Sequence, residues 1–105
     1  DWDEVDAPLL IDVPRQGKTV KALVHAGRNG YLWLLERSAQ DIRYVAAQPY
    51  VQQNVFAKLD PETGRPTYDP SKVPSAGNRV EFCPSLWGGK DWPPTAYSPD
   101  TGLLY

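Results

Sequence analysis

Residues 19–35 run TVKALVHAGRNGYLWLL. Over Thr19–Ala26 the polarity alternates, with Val20, Ala22, Val24 and Ala26 on one side and Lys21, Leu23 and His25 on the other. A period of two sends successive side chains to opposite faces of an extended chain, so this segment predicts a strand. Asn29-Gly30 follows, a pair that tolerates the positive φ of tight turns, and Tyr31–Leu35 resumes as an apolar, aromatic strand. Residues 19–36 therefore predict a β-hairpin.

The segments on either side extend the same pattern. Leu9–Val13 is a short apolar run ended by Pro14 and a Gln16-Gly17 turn. Ile42–Ala47 predicts a strand stopped by Pro49. Val51–Leu59 is ambiguous, but its second half, Val55–Leu59, runs into a turn at Asp60-Pro61-Glu62-Thr63-Gly64. Pro66, Pro70 and Pro74, set among polar residues, predict a long exposed loop over residues 65–79 without regular structure. Val80–Phe82 reads as a short strand and Ser85–Pro94 as a Gly/Trp/Pro loop. Thr95–Tyr97 and Leu103–Tyr105 read as strands flanking a Ser98–Gly102 turn, and no segment predicts a helix beyond a turn or two.

Composition agrees with an all-β fold. With 105 residues the chain has room for one small domain, and its 11 prolines and 8 glycines suit short strands and turns. A net charge of −2 with no basic block argues against nucleic acid as a partner. No stretch has the length of a transmembrane helix, and none reads as a signal peptide. Cys83 is the only cysteine, so no disulfide forms within the chain, and a buried free thiol is expected.

A weak repeat is present. Asp60-Pro61-Glu62-Thr63-Gly64 and Ser98-Pro99-Asp100-Thr101-Gly102 each follow an apolar strand, and Glu36–Gln40 holds the same place after Tyr31–Leu35. Sheets this small cannot bury both faces alone and must stack on neighbours. The expected architecture is antiparallel four-stranded sheets, about two blades of a β-propeller. Such a segment would be a piece of a larger protein.

Two further features bear on chemistry. Trp2-Asp3 places a carboxylate after an aromatic, and Gly27-Arg28-Asn29-Gly30 places a guanidinium in a turn. A base and an electrostatic partner facing one pocket would make part of an active site. His25 lacks the Cys or His partners of a metal site and reads as structural.

Trp2-Asp3, Pro8–Asp12, His25–Tyr31, Leu35–Arg37, Asp60–Pro66, Phe82–Ser85, Gly88–Trp92 and Ala96–Ser98 occur in the order seen in pyrroloquinoline-quinone (PQQ)-dependent alcohol dehydrogenases. The chain resembles that family over essentially its whole length. The resemblance implies an eight-bladed propeller of four-stranded sheets. It implies that Asp3 is the catalytic carboxylate, taking the alcohol proton while hydride leaves the carbon, and that Asp3 also ligates the metal. Arg28 then contacts the quinone oxygens, and Asp91 and Trp92 lie at the cofactor, with Trp87 in packing or lining the substrate pocket.

Many members have Asn where Asp91 stands. An ionised Asp accepts hydrogen bonds but cannot donate, so Asp91 turns away, is protonated, or pairs with Lys90 or Arg28. Members that use lanthanides resemble one another in a further Asp two residues after the catalytic one; Val5 stands there and Asp6 one residue on, which favours calcium. Cys83 matches a position that in some members is paired with a cysteine beyond this segment. The resemblance further implies a small alcohol substrate, oxidation of a primary alcohol to the aldehyde, a cytochrome c acceptor and a periplasmic location, with the isolated segment inactive. The competing expectations are a non-enzymatic propeller scaffold for protein binding and a small β domain that binds carbohydrate through its Trp residues.

Overall fold

The computed structural model describes residues 2–105. Eight strands follow in order: β1 (Leu9–Arg15), β2 (Lys18–Ala26), β3 (Tyr31–Arg37), β4 (Ile42–Pro49), β5 (Phe56–Leu59), β6 (Pro66–Tyr68), β7 (Tyr97–Ser98) and β8 (Leu103–Leu104). The first four form one antiparallel sheet in sequence order, and β5–β6 and β7–β8 form two separate two-stranded sheets. One blade is thus a complete four-stranded sheet, whereas the remaining four strands pair as two hairpins and not as a second such sheet.

The alternation in residues 19–26 is the reason β2 sits inside the sheet. Ala22 is fully buried and Val24 nearly so, while Lys21 is exposed. Val24 faces Leu34 across β2–β3, and His25 faces Trp33. The turn differs from the two-residue Asn-Gly expectation. The loop is closed by bonds from the Gly27 amide to the Tyr31 carbonyl (2.9 Å) and from the Gly30 amide to the Gly27 carbonyl (2.9 Å). Asn29 serves it through its side chain, whose oxygen accepts from the Tyr31 amide at 3.0 Å. The two-residue turn with both residues at positive φ lies instead at Gln16 (51°) and Gly17 (76°), between β1 and β2.

Three sequence expectations need correction. Pro14 does not end β1, which continues to Arg15. As an edge strand, β1 tolerates a residue without an amide proton. The loop expected over 65–79 contains β6, a 3-10 turn at Pro70–Lys72 and a bridge between Ser75 and Asn78. Pro66 starts β6, and Pro70 opens the turn capped by the Asp69 side chain, so these prolines sit where a missing amide proton costs nothing. Val80–Phe82 forms no strand.

The repeat is structural. The Gly64 amide donates to the Asp60 carbonyl at 2.9 Å, and the Gly102 amide donates to the Ser98 carbonyl at 2.8 Å. Both glycines hold nearly the same left-handed conformation, φ 70° and 69°. In the first turn the Asp60 carboxylate also accepts from the amides of Glu62 and Thr63 and from the Thr63 hydroxyl. A Cβ on Gly64 would lie 2.5 Å from the Tyr44 ring, so this turn packs tightly onto β4.

No large side chain among the described residues is fully buried, and the molecule measures 50 × 29 × 23 Å. One face of the sheet forms an open apolar groove of about 510 Å³, lined by residues that include Ile11, Val13, Val24, Leu34, Ala46 and Leu104. An apolar sheet face left open in this way is what stacking against further sheets would cover.

Candidate active site

Asp3 and Arg28 meet at the β2–β3 turn, and the lining of the apolar groove contains none of Asp3, Arg28, Asp91 or Trp92. Trp2 anchors the N-terminal segment there. Its indole N–H donates to the Ser85 carbonyl at 2.9 Å, and its ring meets Phe82 edge-on at 6.0 Å. Asp3 follows, exposed, with its main-chain carbonyl accepting from Arg28 Nη1 at 3.2 Å. Arg28 Nη2 donates to the Leu86 carbonyl at 2.9 Å, so one guanidinium joins the Asp3 segment to the 85–94 loop. Arg28 Nε is buried and makes no hydrogen bond among the described residues.

Gly88 and Gly89 allow this approach. At φ 81°, Gly88 lies so close that a Cβ would stand 2.7 Å from Arg28 Cβ and 2.8 Å from its carbonyl oxygen. The Gly89 amide donates to that same carbonyl at 2.9 Å. The turn and the loop are therefore locked backbone to backbone at Arg28.

Glu4 and Tyr50 were not recognised in the sequence. The Glu4 carboxylate lies 2.7 Å from His25 Nε2 and accepts from the Arg28 amide at 3.3 Å. This gives His25 the structural role expected of it, as part of the clamp that seats the N-terminal segment on the turn. Tyr50 donates its hydroxyl to the Gly27 carbonyl at 3.0 Å. Burial, with the Glu4 and Asp6 charges adding to it, pushes the Tyr50 pKa up to about 12. A lone Glu or Tyr between apolar segments carries no motif, and only the tertiary contacts reveal these two.

Asp91 and Lys90 depart from the pairing considered in the sequence. The Lys90 ammonium is bound 2.9 Å from the Asp6 carboxylate, and it reaches only the main-chain carbonyl of Asp91, at 3.2 Å. The Asp91 carboxylate accepts from the Trp92 amide at 3.0 Å and so caps its own turn. Trp92 and Trp87 are both open to solvent, 71% and 74% exposed. Little within the described residues packs on Trp87. Cys83 is a half-buried free thiol, less enclosed than expected.

As a cofactor site the arrangement is one-sided. Among the described residues no three Asp, Glu, His or Cys side chains come together as metal ligands. The Asp3 carboxylate makes no hydrogen bond or ion pair with them, which leaves a hard oxygen donor available on the residue whose carbonyl holds the Arg28 guanidinium. That donor set fits one side of a site for an oxygen-loving cation and an anionic, oxygen-rich ligand.

No family model matches the chain. The lanthanide-dependent methanol dehydrogenase of Methylacidiphilum fumariolicum (strain SolV) is 38% identical over 106 residues, covering 100% of this chain and 17% of the relative. The solved structure of a europium-containing methanol dehydrogenase matches with a TM-score of 0.86 at 37% identity, over 98% of this chain and 18% of that one. The chain is homologous to a stretch of the quinoprotein alcohol dehydrogenases. Quinohemoprotein alcohol dehydrogenase ADH-IIG of Pseudomonas putida is 33% identical over 107 residues, which are 100% of this chain and 15% of the relative. The chain's antiparallel sheets match a stretch of the solved dehydrogenase, in keeping with the all-β expectation.

Proposed function

We propose that the full-length protein is a quinoprotein dehydrogenase that oxidises a primary alcohol to the aldehyde, and that this chain supplies one side of its active site. The observation that carries this reading is the Arg28 guanidinium, bonded at once to the Asp3 carbonyl and the Leu86 carbonyl at 3.2 and 2.9 Å. It gathers a free carboxylate, a fixed positive charge and the loop bearing Trp92 into one place. A protein-binding scaffold accounts for the sheets but has no need of that convergence.

When bound, PQQ would take the hydride from the alcohol carbon, with a metal ion polarising its oxygens as a Lewis acid. This chain's residues do the rest that falls to them. The Asp3 carboxylate would serve as the base that takes the hydroxyl proton of the alcohol. Arg28, held rigid by two carbonyls, places positive charge where negative charge develops. The exposed Trp92 ring offers an apolar wall to a planar ligand. One oxygen of the Asp91 carboxylate accepts from the Trp92 amide, which leaves the other able to accept from a ligand. The isolated 105-residue chain, with a single such carboxylate, is inactive in this reading. A cytochrome c acceptor and a periplasmic location belong to the same proposal.

The two lines of support for the metal diverge. Val5 stands where lanthanide users carry a further Asp, and Asp6 cannot take its place while it is bound to Lys90. The matched relatives, however, include a lanthanide-dependent and a europium-containing enzyme. The test is therefore run with both ions. Metal-free full-length protein is titrated with PQQ and either calcium or lanthanum while dye reduction by ethanol is followed. Asp3→Ala and Arg28→Ala are each expected to lower turnover by roughly 100-fold or more. Asp1→Ala is made alongside, because that residue is the other carboxylate flanking Trp2. Loss of turnover in Asp1→Ala with Asp3→Ala still active would move the base to Asp1, and no quinone-dependent turnover with either ion would end the dehydrogenase reading.

A further inference from the structure

Lys90 contributes more than a surface charge. Its ammonium donates to the Asp91 carbonyl at 3.2 Å and to the Pro93 carbonyl, and it forms an ion pair with the Asp6 carboxylate at 2.9 Å. The chain from Asp91 to Pro93 is thus wrapped around Lys90 Nζ. The Asp6 side chain on which the ammonium rests is 2% exposed and that of Lys90 is 20% exposed, so the pair is largely withdrawn from water. Thr95 donates its hydroxyl to the same carboxylate oxygen, 3.4 Å from Asp6 Oδ2. Asp6 lies three residues after Asp3, and Lys90 immediately follows the two glycines packed against Arg28 and Tyr50.

Trp92 sits within this wrap, and its ring is 71% exposed. A large ring with so little packing is placed by its own backbone. That backbone is set by the Lys90 ammonium and by the Asp91 carboxylate on the Trp92 amide. We infer that Lys90, anchored on Asp6, is a positioning residue that fixes the Trp92 turn in register with the Asp3–Arg28 pair, so that a planar quinone meets a preset wall. This rests on the quinone-binding reading above. It assigns Lys90 no contact with the quinone, since its charge is already matched by Asp6. A side chain acting on a ligand through a second residue typically changes affinity by about 10- to 100-fold.

The test uses the full-length protein with PQQ, reading quenching of tryptophan fluorescence to obtain the Kd. Lys90→Met keeps the stem and removes the ammonium. Because it strands a buried carboxylate, Asp6→Asn/Lys90→Gln is made as a second variant that removes both charges and keeps the polar groups. Each is expected to raise the quinone Kd by roughly 10-fold. In a Trp92→Ala background, read by enzyme activity against PQQ concentration, the Lys90 substitution should add little further loss. Independent, additive losses would mean a general structural role and overturn the inference, as would an unchanged Kd in the charge-free double variant. If the unmodified protein itself binds no quinone, the underlying reading fails instead, and the wild-type titration separates the two cases.

Discussion

The four-stranded sheet and the loop-built site are held together in different ways. In β1–β4 the order comes from backbone ladders between strands adjacent in sequence, with Ala22, Val24 and Tyr31 buried among them. Around Arg28 it comes from single bonds between distant residues: Trp2 to Ser85, Arg28 to Asp3 and Leu86, Lys90 to Asp6. A ladder is redundant, so losing one of its bonds leaves the others in place. The site has fewer bonds, and most of them come from individual side chains. Stability should therefore be governed by apolar contacts around the sheet, and function by a few polar ones.

Phe56 tests the first half. It stacks on Tyr31 of β3 with ring centroids 5.5 Å apart and meets Tyr68 of β6 edge-on at 5.2 Å, joining the sheet to the first hairpin. Phe56→Ala is expected to cost about 3 kcal/mol, read as a lower denaturation midpoint in urea. A cost well under ~1 kcal/mol would show that the hairpin and sheet are not one cooperative unit.

Gly88→Ala tests the second half. The new Cβ would fall 2.7 Å from Arg28 Cβ in a backbone with φ 81°, so the loop must move away from the turn. The expected cost is ~1–2 kcal/mol. It should appear as faster amide hydrogen exchange at Gly89, with protection along β2–β3 unchanged. Faster exchange throughout the sheet would break the distinction between the two regions.

Tyr50 gives the smallest effect. Tyr50→Phe removes one bond to the Gly27 carbonyl, a loss of ~1 kcal/mol. Its pH dependence has a defined sign. The folded-state pKa is raised from 10.0 to about 12, so the folded chain holds the phenolic proton more tightly than the unfolded chain. That contribution is present below pH 10.0 and is lost as pH rises towards about 12. Thermal melts across this window should show a decline that Tyr50→Phe lessens, and an equal decline in both proteins would remove Tyr50 as its source.

Much of the sheet was legible because its signals are local. The alternation in Thr19–Ala26 and the apolar run at Tyr31–Leu35 mark β2 and β3, and the paired Thr-Gly turns mark the repeat. The prolines of residues 65–79 misled because a proline is compatible with the start of a short strand or turn, and the sequence does not say which side of a strand is left unpaired. Asp3 and Arg28 were legible as candidates through their motif neighbours. Glu4, Tyr50 and the Asp6–Lys90 pair were not, because their meaning lies in partners far along the chain.

The sequence by itself determined that this protein is built of short antiparallel strands, where its strongest turns lie, and which family it resembles. These are properties of neighbouring residues, set by the period of the side chains and the φ that glycine allows. Only the tertiary structure decided that Lys90 pairs with the Asp6 carboxylate and not with that of Asp91, that Arg28 bridges Asp3 to Leu86, and that Trp92 stands open. Those pairings depend on which distant segments meet. A charge or a donor in sequence has many possible partners, and packing leaves it one.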